Sequence, residues 1–143
     1  MGNRAVITTK EGDKENKIGI YLHWNGGRGS VQAFLKYCEM RGFRKPEEDN
    51  YGWARLAQVI ANYFGKDGLS IGIDRVCRLD CDNWDNGTYL IKDWKIVGRE
   101  YFEGEEEDGY ELKQMLYDID EAQPRDQQVG RDFINDQIRL LGE

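Results

Sequence analysis

The sequence predicts an α+β fold: an antiparallel sheet of about five strands covered by helices, with two helices at the C-terminus. Short stretches alternate apolar and polar residues with the period of a strand, and longer ones repeat apolar residues with the period of a helix. These stretches follow one another as β-β-α-α-β-β-β-α-α, so helices are grouped and do not alternate with strands, an order that favours an antiparallel sheet over a doubly wound parallel one. The 143 residues fit one core, and 39% hydrophobic residues are enough to build it although 33% of the chain is charged.

Arg4 to Thr9 and Lys17 to Trp24 read as two strands joined by the polar turn Glu11-Gly12-Asp13-Lys14. In the second, Ile18, Ile20, Leu22 and Trp24 share one face, and Tyr21 and His23 share the other. Ser30 is expected to cap a helix in which Val31, Phe34, Leu35 and Cys38 fall at i, i+3, i+4 and i+7, ending near Gly42. Arg44 to Asp49, with Pro46, reads as a loop. Asp49 or Asn50 then caps a second helix bearing Trp53, Leu56, Ala57, Ile60 and Phe64, closed by Gly65.

Leu69, Ile71 and Ile73 alternate with polar residues and glycine as a third strand. Asp85-Asn86-Gly87 is a turn signal, and a hairpin about Lys92-Asp93 follows, from Thr88 to Ile91 and from Trp94 to Phe102. Leu112, Met115, Leu116 and Ile119 keep a helical period up to Pro124, which ends that helix. Val129, Phe133, Ile138 and Leu141 form an apolar stripe on a last helix from Asp126 to Leu141. Residues 1–122 are therefore expected to form the α+β domain, and 123–143 an amphipathic helix suited to joining copies of the chain in a homo-oligomer.

The net charge of −7 argues against direct nucleic-acid binding, which needs a basic surface to neutralise phosphates. No apolar run reaches the roughly 20 residues that span a bilayer, and Met1-Gly2-Asn3-Arg4 is not the start of a secretion signal, so a cytoplasmic chain without a membrane partner is expected. Three cysteines make no disulfide framework, and a zinc site would need Cys38, Cys77, Cys81 and His23 to converge. Asp80 to Gly87 is rich in oxygen ligands, but Trp84 and Ile91 stand where a calcium loop needs ligands, leaving a surface turn. No metal or cofactor is expected.

The most specific local feature is His23-Trp24-Asn25-Gly26-Gly27-Arg28-Gly29-Ser30, a strand running through a glycine loop into a helix. Backbone N–H groups at a helix start, with Arg28 beside them, make an anion site. The same glycines also serve a tight turn, and the Walker A and Rossmann spacings are both absent. Arg28, Arg55, Arg75, Arg78 and Arg99 would clamp a phosphate or carboxylate if two or three of them met at this loop. The expected ligand-binding set is His23, Trp24, Asn25, Gly26, Gly27, Arg28, Ser30 and Arg55.

His23 is the sole histidine and the one candidate general base, and Trp24, Trp53, Trp84 and Trp94 read as core aromatics or as a stacking wall for a base. Ten carboxylates lie between Glu100 and Glu121 against the single Lys113, an array that either faces solvent or imitates a phosphate track.

Asn3-Arg4-Ala5-Val6-Ile7, Tyr21-Leu22-His23-Trp24-Asn25-Gly26-Gly27, Tyr51-Gly52-Trp53-Ala54-Arg55-Leu56 and Asp85-Asn86-Gly87-Thr88-Tyr89 carry a family likeness. Over residues 1–122 the chain resembles small uncharacterised proteins carried by prophages and mobile elements of Gram-positive bacteria. That resemblance implies a phage accessory protein that counters host defence, and it assigns no catalytic residue. The expectation is thus a non-enzymatic binder that sequesters an anionic, nucleotide-like small molecule. The alternative is an acidic inhibitor or nucleic-acid mimic that binds a host defence protein, and a small hydrolase using His23 is the third reading.

Overall fold

The computed structural model describes residues 3–65, 70–105 and 111–141. Strands β1 (Ala5–Thr9), β2 (Ile18–Leu22), β3 (Ile71–Arg75), β4 (Thr88–Lys92) and β5 (Lys95–Glu100) form one sheet in the order β3-β2-β1-β4-β5. Helices α1 (Arg28–Met40), α2 (Asn50–Phe64), α3 (Leu112–Ala122) and α4 (Arg131–Leu141) complete the α+β fold, the last two at the C-terminus. No helix among the described residues is long and apolar enough to cross a membrane.

The sheet is mixed, which corrects the expectation of purely antiparallel pairing. β2 pairs antiparallel with β1 and β3, and β5 with β4, but β1 and β4 run parallel, with Ile7 opposite Tyr89. The cause is the path from β3 to β4. Arg75 ends β3 opposite Ile18, whereas Thr88 begins β4 opposite Val6 at the other end of the sheet. The intervening segment therefore travels the length of the strands before β4 joins the free edge of β1.

That segment covers the face of the sheet turned away from the helices. Ile7 and Ile20 pair and are buried in the core cluster with residues of all four helices. Gly19, next along β2, must point the opposite way, and a Cβ there would meet Leu79 and Val76 at 3.2 and 3.3 Å. Thr88 Oγ1 also donates to the Cys81 carbonyl. With both faces covered, all five residues of β1 are buried.

The helices bury the stripes that periodicity marks out: Val31, Phe34, Leu35 and Cys38 on α1, Trp53, Leu56 and Ile60 on α2, and Met115, Leu116 and Ile119 on α3. Asp49 caps α2 by accepting from the Tyr51 N–H, and Gly65 ends it at φ 59°. The hairpin turns at Asp93-Trp94, both at positive φ, and Trp94 is held there by an indole N–H donated to the Phe43 carbonyl at 3.0 Å. Leu69, placed in the third strand by its alternation, lies outside the described residues.

Two helix boundaries differ from expectation. Gly27, not Ser30, is the N-cap of α1, and no side-chain hydrogen bond caps it. Ser30 is buried inside the first turn, 3.4 Å from Asn25 Nδ2. At the other end, Asp126 to Leu141 is not one helix: a short 3-10 turn (Arg125–Gln127) is followed by a break at Gly130, φ 87°, before α4.

Segment 123–143 is docked on its own chain as far as it is described. Ile134 and Ile138 enter the shared core. The Asp120 carboxylate, buried on α3, accepts from the N–H groups of Val129 and Gly130 at 2.9 Å each and from the Tyr37 hydroxyl at 2.7 Å. Phe133 and Leu141 of the expected stripe remain exposed.

Candidate functional site

The N-terminus of α1, the starts of β1 and β4 and the end of β5 meet at one end of the sheet, and the glycine loop lies among them. Gly26 is wedged against β1: its N–H donates to the Asn3 carbonyl at 2.8 Å, and a Cβ there would stand 2.5 Å from that oxygen and 2.7 Å from the Ala5 Cβ. Asn25 takes up the preceding bend at φ 55°. Tyr89, fully buried on β4, donates its hydroxyl to the Gly26 carbonyl at 2.7 Å. The loop is thus clamped from two strands, and α1 leaves it in a fixed direction.

Beside the loop is a cleft of about 240 Å³ lined by Arg28, Asp85, Asn86, Arg99, Phe102, Gly104 and Glu105. Arg99 is stacked between the rings of Tyr89 and Phe102, its guanidinium carbon 4.0 and 3.8 Å from their centres, and it donates to the Asn86 carbonyl at 2.6 Å. Such a sandwich orders an arginine that would otherwise sample many rotamers. Asp85 and Glu105 bring negative charge to the same cleft, and of the two Arg4 holds Asp85, through its backbone N–H and Nε at 3.0 and 2.8 Å. The Arg4 side-chain bond, with the backbone bond behind it, keeps the Asp85 carboxyl below the ordinary aspartate range.

Of the five arginines considered from the sequence, Arg28 and Arg99 meet at this cleft and three do not. Arg55 lies away from this cleft: it bonds Gln58, which reaches Gln127, whose carbonyl accepts from Arg41 just past the end of α1. That end is about 20 Å from the glycine loop at 1.5 Å of helix per residue. Arg75 and Arg78 lie at the opposite end of the sheet, the first as the last residue of β3 and the second just after it.

His23 and Trp24 border the loop outside the cleft lining. The Tyr21 hydroxyl and His23 Nδ1 are hydrogen-bonded at 3.0 Å, and Trp24, 44% exposed, meets the His23 ring edge-on at 4.8 Å. β2 stops at Leu22, so Trp24 does not continue its buried face. The cysteines do not gather round His23. Cys38 is in the helical core, where burial pushes its thiol well above the usual range, and Cys77 and Cys81 belong to the crossing segment on the other face. Among the described residues no group of three or more His, Cys, Asp or Glu side chains is placed to hold a metal ion.

The acidic stretch is divided. Asp120 is buried and bound, Glu100 pairs with Lys14 at 3.3 Å, and Glu121 pairs with Arg131 at 3.0 Å. Glu106, Glu107 and Asp108 lie outside the described residues.

The Asp80–Gly87 stretch is the turn with local side-chain bonds that the sequence predicts, but two features of it were not read from the sequence: the burial of Asn83 and the exposure of Trp84. Asn83, fully buried, donates to the carbonyls of Asp80 and Gly87 and accepts from the N–H groups of Asp85, Asn86 and Gly87. Trp84, next to it, is 90% exposed. Its flanking Asp and Asn residues were the available signal, since a tryptophan inside an Asx turn has no strand or helix to carry it into the core.

Compared with known proteins, the chain matches no family model, no curated protein and no solved structure.

Proposed function

We propose that this chain is a binding protein without chemistry of its own, and that the cleft at the start of α1 holds the anionic group of a small, nucleotide-like molecule. The observation that carries the reading is the meeting of Arg28 and Arg99 in one cleft, with Arg99 already ordered by Tyr89 and Phe102. A preset guanidinium loses little freedom when it takes an oxyanion, and the positive end of α1 adds to its field. Arg4 offsets the opposing charge of Asp85. Phe102, which also lines the cleft, supplies aromatic surface for a base. On this reading the chain is a phage accessory factor that withholds the molecule from a host defence system.

The test is to purify the protein from infected cells, denature it and identify released small molecules by mass spectrometry. A phosphate-bearing compound that also raises the melting temperature of the emptied protein supports the reading. The reading fails if nothing is released and neither ADP-ribose nor cyclic nucleotides shift the melting temperature.

A further inference from the structure

A second surface opens next to the arginine cleft and has the opposite character. Among the described residues Trp84 is the most exposed of the large apolar side chains, at 90%, and Tyr101 across from it is 52% exposed. Between them runs a groove of about 500 Å³ lined by Asp82, Trp84, Asp85, Tyr101, Phe102, Glu103 and Gly104. Its walls are aromatic, its charged lining residues are all carboxylates, and Asp82 and Glu103 are exposed.

Both aromatics project from an unusual backbone conformation. Trp84 and Tyr101 have φ of 66° and 58°, a region that bulky side chains adopt only when their surroundings impose it. For Trp84 the constraint is the buried Asn83, whose amide ties both sides of the turn. A tryptophan set out in solvent on a fixed turn offers a large apolar area at one defined place, and tryptophan is among the residues enriched as interface anchors.

We propose that Trp84 and Tyr101 anchor a docking surface for a basic polypeptide segment of a partner protein, with lysine or arginine side chains entering the groove between them. Charge complementarity selects this occupant. A cation can lie over either aromatic face and meet Asp82 or Glu103, as Lys14 already does on Tyr101 at 5.7 Å from the ring centre while pairing with Glu100. Nucleic acid and anionic membranes are repelled by the same carboxylates, and a second copy of a chain with net charge −7 is disfavoured for the same reason.

The test is fluorescence anisotropy of the full chain with a labelled oligolysine peptide, with labelled oligoglutamate as control. Trp84→Ala leaves the net charge unchanged, so general attraction to an acidic protein predicts no effect, whereas the proposal predicts about a tenfold loss of affinity. Trp84→Phe should recover most of it, Glu103→Lys should weaken binding with the tryptophan in place, and Arg28→Ala should have no effect. The proposal is overturned if Trp84→Ala binds oligolysine as tightly as the parent chain, if oligoglutamate binds equally well, or if the parent chain is a dimer that Trp84→Ala dissociates. Because Arg28→Ala belongs to the neighbouring cleft, loss of anion binding there with oligolysine binding kept separates failure of one surface from failure of the other.

Discussion

The ring of Tyr89 lies under the guanidinium of Arg99, 4.0 Å from its centre, while the hydroxyl of the same tyrosine holds the Gly26 carbonyl. One buried side chain on β4 therefore sets both the arginine and the glycine loop. Tyr89→Phe keeps the ring and leaves the carbonyl unpaired. The expected cost is about 1 to 2 kcal/mol, read from the shift of a urea unfolding midpoint at constant slope. A change in slope would place the effect in the unfolded state.

Gly26 is required by space and not by φ, since its absent Cβ would fall on Asn3 O and the Ala5 Cβ. One obstacle is the backbone just before β1 and the other the first side chain of β1, and neither can rotate away. Gly26→Ala is expected to cost about 2 to 3 kcal/mol and to weaken binding at the cleft by moving the start of α1. Denaturant unfolding together with ligand titration checks both effects.

The Asp120 carboxylate ties Tyr37 on α1 to the chain entering α4. Asp120→Asn replaces one acceptor oxygen by a donor facing donors, with an expected loss of about 2 to 3 kcal/mol. Tyr37→Phe should cost about 1 kcal/mol, and the double variant less than the sum because the two residues share one bond. A thermodynamic cycle of unfolding free energies checks this, and strict additivity would show that the bond contributes nothing.

Acid stability depends on Asp85, whose folded carboxyl is held below its unfolded value near 3.9 by Arg4. A depressed carboxyl adds stability that is fully present above the unfolded value and disappears as pH falls through the folded one. The parent chain should therefore lose stability as pH drops below about 4. Asp85→Asn should flatten that decline in part, with Asp49, bound by the Tyr51 N–H and Arg44, and Asp93, bound by Lys45, among the carboxyls that retain the rest. Melting temperatures measured across the acid range give the comparison.

The strands and helices could be read from the sequence because each carries its own period. Ile18, Ile20 and Leu22 alternate, α1 repeats at i, i+3, i+4 and i+7, and Asp49 and Gly65 bracket α2. The parallel pairing of β1 with β4 could not, since it is set by a crossing segment whose course has no local period. Ser30 has the chemistry of a cap, but the wedging of Gly26 against Asn3 starts the helix earlier. In the site, the glycine loop and Arg28 were legible as a strand-to-helix junction. Arg99 was visible only as one of several arginines, because its sandwich depends on Tyr89 pairing opposite it from β4 and on the chain just past β5 turning Phe102 back over it. Trp84 was misleading for the opposite reason: aromatic residues usually pack inward, and only the buried Asn83 turn keeps this one out.

Calorimetric titration of ADP-ribose and of cyclic nucleotides into the parent chain and Arg28→Ala tests the central claim most directly. The account predicts that at least one of these binds the parent chain and that Arg28→Ala weakens it by at least about 1.5 kcal/mol, with the melting temperature of the unliganded protein unchanged. Equal affinity in the two chains, or no heat of binding in either, would contradict it.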